Sequence, residues 1–214
     1  MGKDSVQKGF ASIILIIVVV VGAAIALLVV SGALKLEGKV SKSENKPSSV
    51  QPSEATKGEP TPETKTYQND SLNLSLEYSA AWSIKENPAA GVVVAFGSPK
   101  ESNDDQFVDN INLSTTDISS KPNMTSAQLT DSWIKQSESA PSFSLLDRKP
   151  TTLAGESADQ LIYTISNQDK SLKGMVIIGV KNKTSYVITY TAEQSSFDKF
   201  LNAANALASS LKVK

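Results

Sequence analysis

The chain changes its pattern of apolar and polar positions twice. From Gly9 to Leu34 it runs "GFASIILIIVVVVGAAIALLVVSGAL" without one charged residue. A helix rises about 1.5 Å per residue, so roughly 20 apolar residues cross a 30 Å hydrocarbon core. The run exceeds that length and predicts a single transmembrane helix over residues 10–36, behind a short tail, residues 1–9. From Gly38 to Thr66 the sequence is rich in Pro, Ser, Glu and Lys and almost free of large apolar side chains. Such a segment cannot bury enough surface to offset its ordering entropy, and it predicts a disordered linker over residues 37–66.

From Tyr67 onward a period of two takes over. In "SLNLSLEY" Leu72, Leu74, Leu76 and Tyr78 fall on one face, the mark of a half-buried strand. "GVVVAFGSP" is a denser apolar strand closed by Pro99. "FVDNINLSTT" turns Phe107, Ile111 and Leu113 inward, with Asp109 breaking the pattern. A helix follows: Thr125 and Gln128 form a capping-box pattern, Leu129 and Trp133 share a face, and Pro141 bars continuation.

Four further strands are predicted at Ser142–Arg148, Ser157–Ser166, Leu172–Lys181 and Ser185–Ala192. Short polar turns, Asn167–Lys170 and Asn182-Lys183, join the last three as antiparallel hairpins. A last helix is expected to begin near Ser195, with Asp198 as its third residue. Phe197, Phe200, Leu201, Ala204, Ala208 and Leu211 form its core-facing stripe. Residues 67–214 therefore read as one α+β domain, a mostly antiparallel sheet carrying at least two helices.

The apolar run admits three readings. A cleavable signal would use Ala24-Ile25-Ala26, but cutting there leaves a greasy Leu-Leu-Val-Val terminus. "KGFASIILIIVVVV" resembles the type IV pilin leader, yet the fifth mature position is Ile14, where pilins carry Glu. An uncleaved signal anchor fits best. Lys3 and Lys8 precede the span and Lys35, Lys39, Lys42 and Lys46 follow it. That balance alone would keep the C-terminal side in the cytoplasm, but a large domain translocates largely regardless of charge. An extracytoplasmic domain is the expectation.

Charge and composition narrow the chemistry. The 214-residue chain has formal net charge −1, and the domain carries a small excess of acid. Without clustered Lys and Arg it is a poor nucleic-acid binder. With no Cys and no His, disulfides, thiol nucleophiles, imidazole bases and the usual zinc sites are excluded. Lys170 and Ser171 are merely adjacent in a turn, and no G-x-S-x-G or phosphate-cradling glycine loop appears. No enzyme is expected. The acidic stretch "ESNDDQFVDN" is the one metal candidate: Asp104, Asp105 and Asp109 could offer oxygen ligands to calcium, though the spacing is not an EF-hand loop. Trp133 and the tyrosines could line a ligand pocket, although core packing is the commoner use. Asn73, Asn112, Asn123 and Asn182 each open an N-x-S/T triplet.

The succession Tyr67, "LSLEYSAAW", "VVVAFGSP", "FVDNINL", a helix, "LAGESADQLIYT", "YVITYTA" and "FDKFLNAANALASSLK" is similar to the PsbP-like family. The resemblance covers nearly all of Tyr67–Lys214. It implies an α/β/α sandwich around a central antiparallel sheet. It also implies that Trp82 packs against the sheet and that Gly155 and Ala158 are the small residues of a turn into a central strand. The family often has Tyr-Pro before the tryptophan, whereas here the pair is Tyr78-Ser79. Its photosynthetic members are non-enzymatic and dock on a membrane complex. The expectation is thus a membrane-anchored, non-catalytic module that docks on a membrane-associated protein partner. A binder of calcium or a small ligand, or a pilin-like subunit, are the alternatives.

Overall fold

The computed structural model describes residues 63–100, 107–140, 142–167 and 170–214. The expected transmembrane helix and most of the expected linker lie outside the described residues, as do Asp104, Asp105 and Pro141. No helix among the described residues is long and apolar enough to cross a membrane.

The described residues form ten strands and two α-helices. A three-stranded sheet takes β1 (Thr64–Asn69), β2 (Leu74–Ser79) and β10 (Lys212–Val213), with β2 in the middle. A seven-stranded sheet comprises β3 (Ser83–Glu86), β4 (Val92–Gly97), β5 (Asn110–Asp117), β9 (Thr184–Glu193), β8 (Lys170–Lys181), β7 (Glu156–Asn167) and β6 (Ser144–Leu153), side by side in that order. Every pairing described is antiparallel. Helix α1 (Ser126–Ser137) and the β6–β8 meander are inserted between β5 and β9, so those two neighbours are distant in sequence.

The period of two sends alternate residues to opposite faces of the large sheet. Met175, Ile177, Ile188 and Tyr190 join the cluster under helix α2 (Phe197–Ser210) and β2. Val176, Ile178, Val187 and Leu161 join the cluster under α1. The helices therefore cover opposite faces, which makes the α+β domain an α/β/α sandwich. Val, Ile and Tyr fill these strands because branched and aromatic side chains pack well on a pleated surface.

Two of the hairpins follow from two-residue turns with both residues at positive φ, whose twist matches that of the strands. Ala154 (φ 52°) and Gly155 (φ 83°) join β6 to β7; Asn182 (φ 51°) and Lys183 (φ 59°) join β8 to β9. Gly155 thus has the conformation that the resemblance implies. Ala158 stands opposite Gly179, where a Cβ on Gly179 would meet Leu153.

Several expectations need correction. Leu72 is not on the inward face of a strand: it ends a 3-10 turn and is exposed. Asn69 accepts a hydrogen bond from the Leu72 amide, and Asn73 at φ 49° resets the register before Leu74. Strand β1 precedes the first expected strand, "SLNLSLEY", and was not expected; β3 carried no sequence signal because all four of its residues are exposed. Strand β6 continues past Arg148 through Pro150 to Leu153, which an edge strand tolerates because its outer amides bond to nothing in the sheet. Helix α2 starts at Phe197, so Asp198 is its second residue rather than its third.

Candidate functional site

Asp109, just ahead of β5, breaks the apolar alternation of "FVDNINL" for a structural reason. Its carboxylate is buried and accepts a hydrogen bond from Ser196 Oγ, at 3.0 Å to Oδ2 and 3.3 Å to Oδ1. Ser196 is the N-cap of α2, yet its hydroxyl makes no capping bond to the helix and turns to Asp109 instead. A carboxylate beside a helix N-terminus is favoured by the helix dipole. The other two candidate calcium ligands lie outside the described residues. No group of three or more His, Cys, Asp or Glu side chains is close enough to hold a metal among the described residues.

Helix α1 sets up the second feature. Its capping box is complete: Thr125 Oγ1 accepts from the Gln128 amide at 3.2 Å, and Gln128 Oε1 accepts from the Thr125 amide at 3.0 Å. Ser126 Oγ donates to Ser157 O at 2.8 Å. Arg148 bridges Asp159 on the sheet (3.0 Å) and Asp131 on the helix (2.6 Å), and hydrogen bonds to both carboxylates raise its pKa, keeping the guanidinium charged. Trp133 is thereby pressed onto Tyr163 at 5.3 Å and Phe143 at 5.7 Å, with Phe143 and Tyr163 themselves 5.6 Å apart.

Tyr163 lies across Gly174, the residue paired with it on β8 and with Thr191 on β9. Burial pushes its phenol up to about 12. Its approach to the Thr191 hydroxyl opposes that shift without completing a well-formed hydrogen bond, for Thr191 Oγ1 has no partner. Next in line on β5, Asn110 faces Thr191 and Asn112 faces Thr189. Asn112 Nδ2 donates to Asn110 Oδ1 at 2.8 Å, and Asn110 Nδ2 donates to Val108 O at 3.2 Å. A belt of neutral polar groups therefore runs across the sheet beside α1. The sequence marked Trp133 and the tyrosines but gave no signal for the Asn and Thr members, which read as ordinary solvent-facing positions.

The third feature is the outer edge of the large sheet. Between Leu145 and Asp147 the pairing with β7 slips by a residue, and Leu146 at that bulge is 55% exposed, beside an exposed Leu145. Trp82, by contrast, is buried edge-on against Phe200 of α2 at 5.5 Å, within the cluster that covers the opposite face.

Chemically, these features can bind and dock. Asp109 is committed to Ser196, and a phenol with a pKa near 12 stays protonated at neutral pH.

Compared with known proteins, residues 11–206 match the family model described as PsbP-like protein. No curated protein matches the chain. Among solved structures, the chain is similar to cyanobacterial PsbP (CyanoP) from Synechocystis sp. PCC 6803. The TM-score is 0.55 and the identity 16%, over 75% of this chain and 98% of that one. LpqN of Mycobacterium tuberculosis, described as involved in cell envelope biogenesis, aligns with TM-score 0.49 and 15% identity over 70% of this chain and 90% of that one. PA94 of Pseudomonas aeruginosa, a putative regulator of unknown function, gives 0.47 and 18% over 66% and 91%. At these identities the likeness is one of fold.

Proposed function

Because this chain belongs to the PsbP-like family, we propose that it is a membrane-anchored, extracytoplasmic, non-catalytic module that docks on a membrane-associated protein. The observation that carries the reading is the extent of the family match. It begins at residue 11, inside the uncharged run, and reaches residue 206, which supports reading the run and the domain as parts of one protein of this family. A tether raises the domain's effective concentration at the membrane surface, and the linker gives it reach.

The β6 edge supports the docking half of the proposal. The bulge pushes Leu146 outward, while Pro150, Asp147, Arg148 and Lys149 discourage addition of a further strand. A partner protein held beside the membrane by its own anchor would meet Leu145 and Leu146 through side chains. Protease added to intact cells tests the topology. The proposal expects the domain to be digested without lysis; a domain protected until lysis overturns the outward orientation.

A further inference from the structure

Among the described residues, four buried side-chain polar atoms have no hydrogen-bond partner: Trp133 Nε1, Ser137 Oγ, Thr191 Oγ1 and Asn112 Oδ1. Their residues are 2%, 2%, 1% and 4% exposed. Native interiors rarely leave such groups unpaired, and each one calls for an explanation. All four lie on the same side of the large sheet. Trp133 and Ser137 are one turn apart on the inner face of α1, and Trp133 touches Tyr163. Tyr163 crosses Gly174 toward Thr191, and Thr191 faces Asn110, to which Asn112 is bonded.

Together they make a consistent set. An indole N–H can only donate, a lone amide oxygen can only accept, and the two hydroxyls can do either. Three aromatic rings stand beside them, and the side chains of the belt are uncharged. We infer that the layer between α1 and the sheet is a binding site for a small, uncharged ligand with a flat apolar ring and a hydroxyl or amide group. The ring packs among Trp133, Phe143 and Tyr163, and the polar group pairs with Thr191 and Asn112. The site is closed in this structure, so entry requires α1 to lift. The two links described above, Ser126 to Ser157 and Arg148 to its carboxylates, are the ones that must yield. The site faces away from α2 and Trp82, and the inference stands independently of any partner.

The chain has two tryptophans, so an indole-15N-labelled full-length chain gives two N–H signals, one from Trp133 and one from Trp82 on the other face. Phenol is the probe, and toluene is the ring without the polar group. The inference expects saturable movement of the Trp133 signal with phenol, a still Trp82 signal, and weaker binding of toluene. Thr191→Val removes the orphan hydroxyl at constant shape. It should weaken phenol binding about five-fold, the worth of one neutral hydrogen bond, and bring phenol down to the level of toluene. An unmoved Trp133 signal, equal and unsaturable movement of both signals, or undiminished phenol binding by the Thr191→Val chain would each overturn it. The wild-type titration decides by itself if the variant does not fold.

Discussion

Gly174→Ala places one methyl group where the fold leaves no room. A Cβ built on Gly174 falls on Cζ of Tyr163 and 2.5 Å from its hydroxyl oxygen, well inside van der Waals contact. The ring cannot simply step aside, because Trp133 of α1 at 5.3 Å and Phe143, just ahead of β6, at 5.6 Å hold it. Inserting a methyl into a packed core costs typically 1–3 kcal/mol, and with the ring boxed in we expect about 3 kcal/mol. At a urea slope near 2 kcal/mol/M the midpoint should fall by about 1.5 M. The assay is urea unfolding of the full-length chain, read by tryptophan fluorescence. A double-mutant cycle isolates the clash: in a Tyr163→Ala background the same methyl meets no ring, so its cost should fall to about zero. A cost below about 1 kcal/mol, or an equal cost in both backgrounds, would refute the claim that Tyr163 lies packed across Gly174.

Lys183 occupies the second positive-φ position of the β8–β9 turn, where Asn-Gly is the preferred pair, so Lys183→Gly should stabilise by about 0.5–1 kcal/mol in the same urea assay. Tyr163 is neutral in the folded state up to about pH 12 but ionises near its ordinary value of 10.0 when unfolded. Its contribution is therefore complete below pH 10 and declines as pH rises toward 12. Up to about 2–3 kcal/mol is at stake. Tyr163→Phe should flatten that part of an alkaline stability profile. Ser196→Ala removes the hydroxyl donor to buried Asp109 and should cost about 1–3 kcal/mol, read as a lowered urea midpoint. Leu146→Glu should leave stability within about 0.5 kcal/mol while reducing recovery of the partner in a pull-down from native membranes, because the residue is largely exposed.

Where strands bury apolar residues, the fold was legible in the sequence. Strands β4, β8 and β9 are buried almost continuously and read as dense apolar runs, with β8 and β9 sending one set of residues under each helix. The capping box of α1 was equally readable, since Thr125 and Gln128 act locally. Elements without a buried face left a weaker record: β3 was missed, and β6 was expected only as far as Arg148. All of β3 and nearly all of β6 are exposed, and both stand at edges of the large sheet. Leu72 misled because periodicity cannot see the break at Asn73. The candidate site was harder still. Asn110, Asn112, Thr189 and Thr191 are brought together by pairing of β5 with β9, across an insertion that holds α1 and three strands. Nothing local in the sequence distinguishes these buried residues from the polar face of a solvated sheet.

The measurement closest to the central claim is site-specific photo-crosslinking in native membranes. The full-length chain would carry the crosslinker at position 146 or, as a control on another exposed strand, at position 85. The account predicts one dominant membrane-protein adduct at near-stoichiometric yield from position 146 and little from position 85. Equal adduct patterns from the two positions, or no dominant adduct from position 146, would contradict it.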